Sequence, residues 1–278
     1  RFDDASAATR AFELALELDP ESPQALRGLA QIAETSGNDD AILRAYAREA
    51  EVTTDRQRLA TLVWELVRIL DANDRTADAL HWLERLRVAD PDDRACLEAI
   101  VDQLARLGDP ARADDEIAAL EALYAASVGE TRSDACNRLA DRLAALGRED
   151  ESIAWVEASL ECNPRQPEAT RRLVEHYREA GQHEQRARLQ RRLADLVASP
   201  DERRACLLDL ADLLESELDD ADGAVVILWE LTNEASDGDD GLAERLTALL
   251  ERAGRFAELA QLLLQRQRTL GGRDEAAA

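Results

Sequence analysis

The chain has 278 residues, 59 of them acidic and 34 basic, and a formal net charge of −25. Such acidity repels phosphate and so excludes nucleic acid and anionic membrane surfaces as partners, while a hydrophobic share of 45% excludes wholesale disorder. No apolar run approaches the ~18 residues needed to span a bilayer, so membrane insertion is not expected.

A first helix over Asp3 to Leu18 ends at Asp19-Pro20, because proline cannot continue a helix. Residues 1–20 therefore read as half a unit. Ser22-Pro23 opens the next helix as N-cap and first-turn proline, and Gly37 suits the left-handed residue just past its end. Its apolar stripe is Leu26-Leu29-Ala30-Ala33, in a unit spanning 21–53. Unit 54–91 carries Val63-Leu66-Val67-Leu70, a second helix over Ala79 to Val88, and a closing Asp90-Pro91. Unit 92–130 carries Leu97-Ile100-Val101-Leu104 and Gly108. Unit 131–164 carries Cys136-Leu139-Ala140-Leu143, Gly147, a second helix over Ser152 to Leu160, and Asn163-Pro164. Unit 165–200 carries Thr170-Leu173-Val174-Tyr177 and Gly181, and unit 201–238 carries Leu207-Leu210-Ala211-Leu214. Unit 239–270 has Ala243-Leu246-Thr247-Leu250, Gly254 and a second helix over Phe256 to Leu264. Residues 271–278 are expected to form a flexible tail.

Each stripe places its residues at i, i+3, i+4 and i+7, which is one face of a helix. The first members lie 37, 34, 39, 34, 37 and 36 residues apart. A single hairpin cannot bury such a face alone, so neighbours must stack. The expected fold is all-α, with about fifteen helices. It is a right-handed α-solenoid of antiparallel helix-turn-helix hairpins in a single array over 1–270, with a concave and a convex wall.

These residues resemble the tetratricopeptide repeat family, whose unit is about 34 residues, in its bacterial form. Gly147 to Gly181 keeps that register. Pro164 matches the closing proline, and Leu173 and Tyr177 fill their positions on the first helix. Ala79, Ala113 and Ser152 match the small residue of the second helix. The chain departs from the pattern where Val67, Val101, Val174 and Thr247 replace the small residue after the leucine. The resemblance implies a protein-interaction scaffold or adaptor holding a protein or peptide in the concave groove. It also implies which residues line that groove: Arg27 and Gln31, Trp64 and Arg68, Glu98 and Asp102, Asn137 and Asp141, and Arg171 and Glu175. Leu208 and Asp212, then Glu244 and Ala248, continue the series. Trp64 beside Arg68 has the composition of a binding hot spot; the bland alternative is packing against an adjacent helix. Trp82 and Trp155 recur on second helices and are expected to pack between units. Relatives that bind chaperones clamp a C-terminal carboxylate with lysine. The chain has no lysine, so no such clamp is expected.

No catalytic residue, metal site or cofactor is expected. His81, His176 and His183 lack a carboxylate or cysteine at ligand spacing. Ser236 to Gly241, followed by Glu244, has a faint calcium-loop pattern, but Ala235 stands where an oxygen ligand is required. Cys96, Cys136 and Cys206 fall on or beside core stripes. With Cys162 they form no CxxC pair, which favours a reducing, cytoplasmic compartment. The start at Arg1-Phe2, without methionine, reads as internal to a longer chain, which leaves room for a leader upstream. The rival functions are therefore a regulatory or sensor segment of a larger enzyme or signalling protein, more remotely a helical enzyme. The apolar ends invite flanking domains or end-to-end self-association.

Overall fold

The structure, a computed structural model, describes residues 2–234 and 240–277, with side chains over 6–234, 240–265 and 267. Its helices fall into two compact units, Arg1–Leu146 and Gly147–Ala278. The first unit contains α1 (Phe2–Leu18), α2 (Pro23–Ser36), α3 (Asp39–Val52), α4 (Arg56–Ala72), α5 (Thr76–Ala89), α6 (Arg94–Leu107), α7 (Ala113–Ala126) and α8 (Gly129–Ala145). The second contains α9 (Glu149–Cys162), α10 (Pro167–Glu179), α11 (His183–Leu196), α12 (Pro200–Ser216), α13 (Ala221–Glu234), α14 (Asp240–Arg252) and α15 (Phe256–Ala277). One 3-10 turn, Pro110–Arg112, precedes α7, and no strand occurs among the described residues. The described residues are all-α, and within each unit consecutive helices pack on one another over short connections.

Every stripe residue faces a core. All are buried except Leu29, Tyr177, Leu214 and Thr247, which are half-buried. In the first unit the largest fully buried side chains are almost all leucine, from Leu26 through Leu66 and Leu83 to Leu143. Each contributes about 1.5–3 kcal/mol by leaving water. In the second unit one cluster runs from Val174 and Leu193 through Leu207, Leu228 and Leu246 to Leu262.

The turns follow from backbone chemistry. Gly37, Gly108, Gly181 and Gly254 take positive φ after the first helix of their hairpin, and Gly147 takes it after α8. In the two hairpins without that glycine, Asp74 (φ 55°) and Asp219 (φ 50°) occupy the same left-handed place. Gly28 answers a different need, since a Cβ there would overlap the Phe12 ring. Ser22 holds the N-cap position of α2 and Pro23 its first turn, but the Ser22 side chain makes no cap hydrogen bond. Asn38, Asp55 and Asp93 do cap, each accepting from a backbone N–H of the following first turn.

Two features differ from expectation. Residues 271–277 continue α15 rather than forming a tail, because Gly271-Gly272 weakens a helix by about 1 kcal/mol per glycine yet keeps its N–H donors. Second, the first helices alternate in length. α4, α8 and α12 have 17 residues each, whereas α2 and α6 have 14, and α10 and α14 have 13. The longer ones start one turn earlier relative to their stripe. Stripe starts two hairpins apart therefore recur 71 or 73 residues apart, 71 from Leu26 to Leu97 and 73 from Val63 to Cys136. The repeating element is a pair of hairpins, which explains the uneven single-hairpin spacings.

Candidate functional site

Within each unit the first helices stand side by side, and ion pairs one period apart link them. In the first unit Arg106 of α6 reaches Asp71 of α4 at 3.1 Å, and Gln103 donates to the same carboxylate at 2.8 Å. Arg138 of α8 reaches Asp102 of α6 at 2.7 Å. In the second unit Arg171 of α10 bonds Glu202 of α12, and Arg245 of α14 bonds Asp212 and Glu215 of α12. These are fork-shaped arginine contacts, and several guanidiniums serve two acids at once. Hydrogen bonding to Glu202 raises the Arg171 pKa further above its ordinary range.

The expected groove residues fall on this wall, and most of them are engaged. Arg27 donates through Nε to Glu49 of α3 at 3.1 Å. Glu49 is 2% exposed and also receives Arg58 of α4 through Nε and Nη2, both at 2.8 Å. Burial alone would push the Glu49 carboxyl up, but the hydrogen bonds from Arg58 and Arg27 outweigh it and hold the pKa below the ordinary value. Arg68 bonds Glu65 on its own helix, Glu98 lies 3.8 Å from Arg94, and Glu175 bonds Arg178. Asn137 and Asp141 also carry polar interactions. Gln31 is exposed, as is Glu244, whereas Leu208 packs against the core of the second unit.

Trp64 is the outlier on that wall. It is 37% exposed, on the longest type of first helix. Trp82 is 9% exposed and Trp155 half-buried, so the second-helix tryptophans pack inward to different degrees.

The remaining chemistry-bearing residues are dispersed. Among the described residues no group of three or more His, Cys, Asp or Glu could hold a metal ion. The faint calcium loop falls largely on residues 235–239, outside the described residues. Burial pushes the Cys96 thiol up to about 11, with Asp93 adding to the effect. Cys136 and Cys206 are also buried. His183 sits 3.8 Å from Glu217, a pairing between α11 and the end of α12 that sequence spacing did not show. Among the described residues no helix is long and apolar enough to cross a membrane.

Two further features were missed in the sequence. Glu49 looks like any surface glutamate, and its burial follows only from the packing of three helices. The ladder did leave a signal, because its acids and arginines stand 30 to 36 residues apart. Opposite charges one period apart on first helices are what that geometry requires.

Solved structures share this arrangement. A chain of the Naa15/Naa10 complex bound to HypK-THB superposes over 94% of this chain with a TM-score of 0.51 at 15% identity. This chain spans only 41% of that one. The fold is of the tetratricopeptide type. Tetratricopeptide-type arrays of lower overlap include MamA, with a TM-score of 0.42, 17% identity, and coverage of 64% of this chain and 96% of MamA. YrrB, described as a TPR protein with an unusual peptide-binding site, gives a TM-score of 0.37 at 15% identity, covering 60% of this chain and 82% of its own. No protein-family model matches this tetratricopeptide-type chain, and no curated protein matches it.

Proposed function

We infer that the chain is a protein-interaction scaffold that takes a peptide or protein segment on the wall of first helices. The observation that carries this is Trp64, a large apolar side chain of α4 that is 37% exposed. A tryptophan costs little conformational entropy to immobilise and supplies much contact area, which is why such residues dominate binding energies. The arginine–carboxylate ladder supports the reading from a second direction. It joins the helices of each unit and pre-organises the surface around Trp64, so a ligand need not order it. The ladder also neutralises the wall locally, so the ligand is chosen by apolar fit and hydrogen bonding more than by net charge.

The test is affinity capture from the source lysate with wild type and with a Trp64→Ala/Arg68→Ala variant, read by quantitative mass spectrometry. Proteins retained by the wild type and lost from the variant, with helicity and melting temperature preserved, support the reading. An unchanged capture profile together with a fall in melting temperature would make Trp64 a packing residue and end it. A second reading, a regulatory segment working against another protein body, draws on exposed apolar side chains of α1 (Leu14, Leu18) and α15 (Phe256, Leu263, Leu264). Light scattering on a sizing column distinguishes self-association through those faces.

A further inference from the structure

A second surface is built into the opposite wall, the one made by second helices. In the first unit a cleft of about 310 Å³ opens between α3 and α5. Its floor is Leu43, Leu66, Leu70 and Trp82, and Arg44 and His81 stand on its rim. A neighbouring cleft of about 500 Å³ opens between α1 and α3, over Leu29 and Ile32 of α2. Arg44 lines both clefts and Arg48 lines the second. A cleft with a similar apolar floor, Leu160, Leu173 and Leu189, lies in the second unit between α9 and α11, where Arg188 and Arg192 share the edge with Glu157 and Glu161.

The charges on these rims are anomalous. Acids outnumber bases 59 to 34 in the chain. Most arginines of the first unit accordingly hold a carboxylate, as Arg27, Arg56, Arg58, Arg68 and Arg75 do. Arg44 and Arg48 are exposed and make no hydrogen bond or ion pair among the described residues, and neither does Arg188. The acids near the first two clefts are otherwise committed or few. Asp78 is taken by Arg75 at 2.7 Å, Asp40 lies in the first turn of α3 where the helix dipole favours it, and Glu13 stands on α1. An arginine left without a partner in so acidic a protein is a cation held ready for a carboxylate from outside.

We propose that the second-helix wall of the first unit binds an extended acidic peptide that drops one apolar side chain into each cleft and lays a carboxylate on Arg44 and Arg48. The two clefts are separated by the width of α3, about 10–12 Å with side chains. An extended chain in the polyproline II form advances about 3.1 Å per residue and turns once every three residues, so two apolar residues three apart face the same wall, roughly one helix width apart, with the acid between them. Apolar floors supply the affinity, and the guanidinium forks fix register and exclude basic sequences.

The probe is a phage-displayed library of random 12-residue peptides selected on the whole chain. Selected peptides are synthesised with a fluorophore and titrated by anisotropy. A family with two apolar residues three apart and Asp or Glu between them is the expected yield. Arg44→Glu/Arg48→Glu should weaken that family by about tenfold or more, and Arg44→Gln/Arg48→Gln by less, with higher salt weakening wild-type binding. Trp64→Ala should leave it within about twofold, which separates this site from the first-helix wall. Melting temperatures of both arginine variants should stay at the wild-type value, since the side chains are exposed and unpaired. The proposal is overturned if no such family emerges, if its binding survives charge reversal, or if Trp64→Ala abolishes it.

Discussion

Removing the charge of Glu49 offers a sharp trial of the packing described above. Its carboxylate receives three N–H donors from two helices while itself 2% exposed. Hydrogen bonds to charged groups contribute about 1.5–3 kcal/mol each when buried. Here the guanidiniums are partly solvated, with Arg58 32% and Arg27 59% exposed, so much of that is screened. Glu49→Gln keeps the shape and loses the charge. A destabilisation of about 2 kcal/mol follows, between the value for a surface pair and the ~3–5 kcal/mol for breaking a fully buried one. For a body of this size that corresponds to roughly 4–8 °C in melting temperature. The pH dependence fixes the sign. A carboxyl whose folded pKa is depressed stabilises above the unfolded value, and that stability disappears as pH falls through the folded value. The gap between wild type and variant should be full at pH 7 and close below the ordinary glutamate value of about 4.3. Melts followed by circular dichroism at pH 7 and in acid measure this. Equal stabilities at pH 7, or a gap indifferent to pH, would refute the reasoning.

Other outcomes follow from single residues. Asp74→Gly and Asp219→Gly should each stabilise by about 1 kcal/mol, because glycine takes positive φ without steric cost; urea titration reads the gain as a higher midpoint at unchanged slope. Gly28→Val should destabilise by about 1–3 kcal/mol by pressing into the Phe12 ring, and Phe12→Ala in the same chain should recover part of the loss in a double-mutant cycle. In the native state a chromogenic disulfide reagent at pH 8 should modify half-buried Cys162 first and leave Cys96 unreacted, since burial keeps that thiol protonated. Urea should make all four cysteines reactive.

Legibility in the sequence tracked the physical range of each cause. The apolar stripes were plain because helix periodicity is local, and residues such as Leu66, Leu97 and Leu246 are buried where the pattern put them. The turn glycines were plain for the same reason, whereas Asp74 and Asp219 do the same work in residues with no comparable signature. The alternation of first-helix lengths was present in the spacings but hidden by treating each hairpin as one unit. Trp64 was singled out by its place beside the stripe, and its exposure agrees with that placement. The engagement of Arg27 and Asp102 was not visible, because their partners Glu49 and Arg138 are brought near only by stacking. The clefts beside Arg44 were invisible too, since they arise from gaps between three helices and from the absence of a partner.

The alternation of long and short first helices bears on how such a chain can lengthen or shorten. Splicing out one hairpin would set two first helices of the same length in succession and bring the wrong connection to the seam. Excising two together would restore every junction to a type already present. Duplication and loss of genetic segments encoding 71 or 73 residues are therefore the steps this architecture tolerates, and engineered variants should be cut at the starts of α4, α8 or α12.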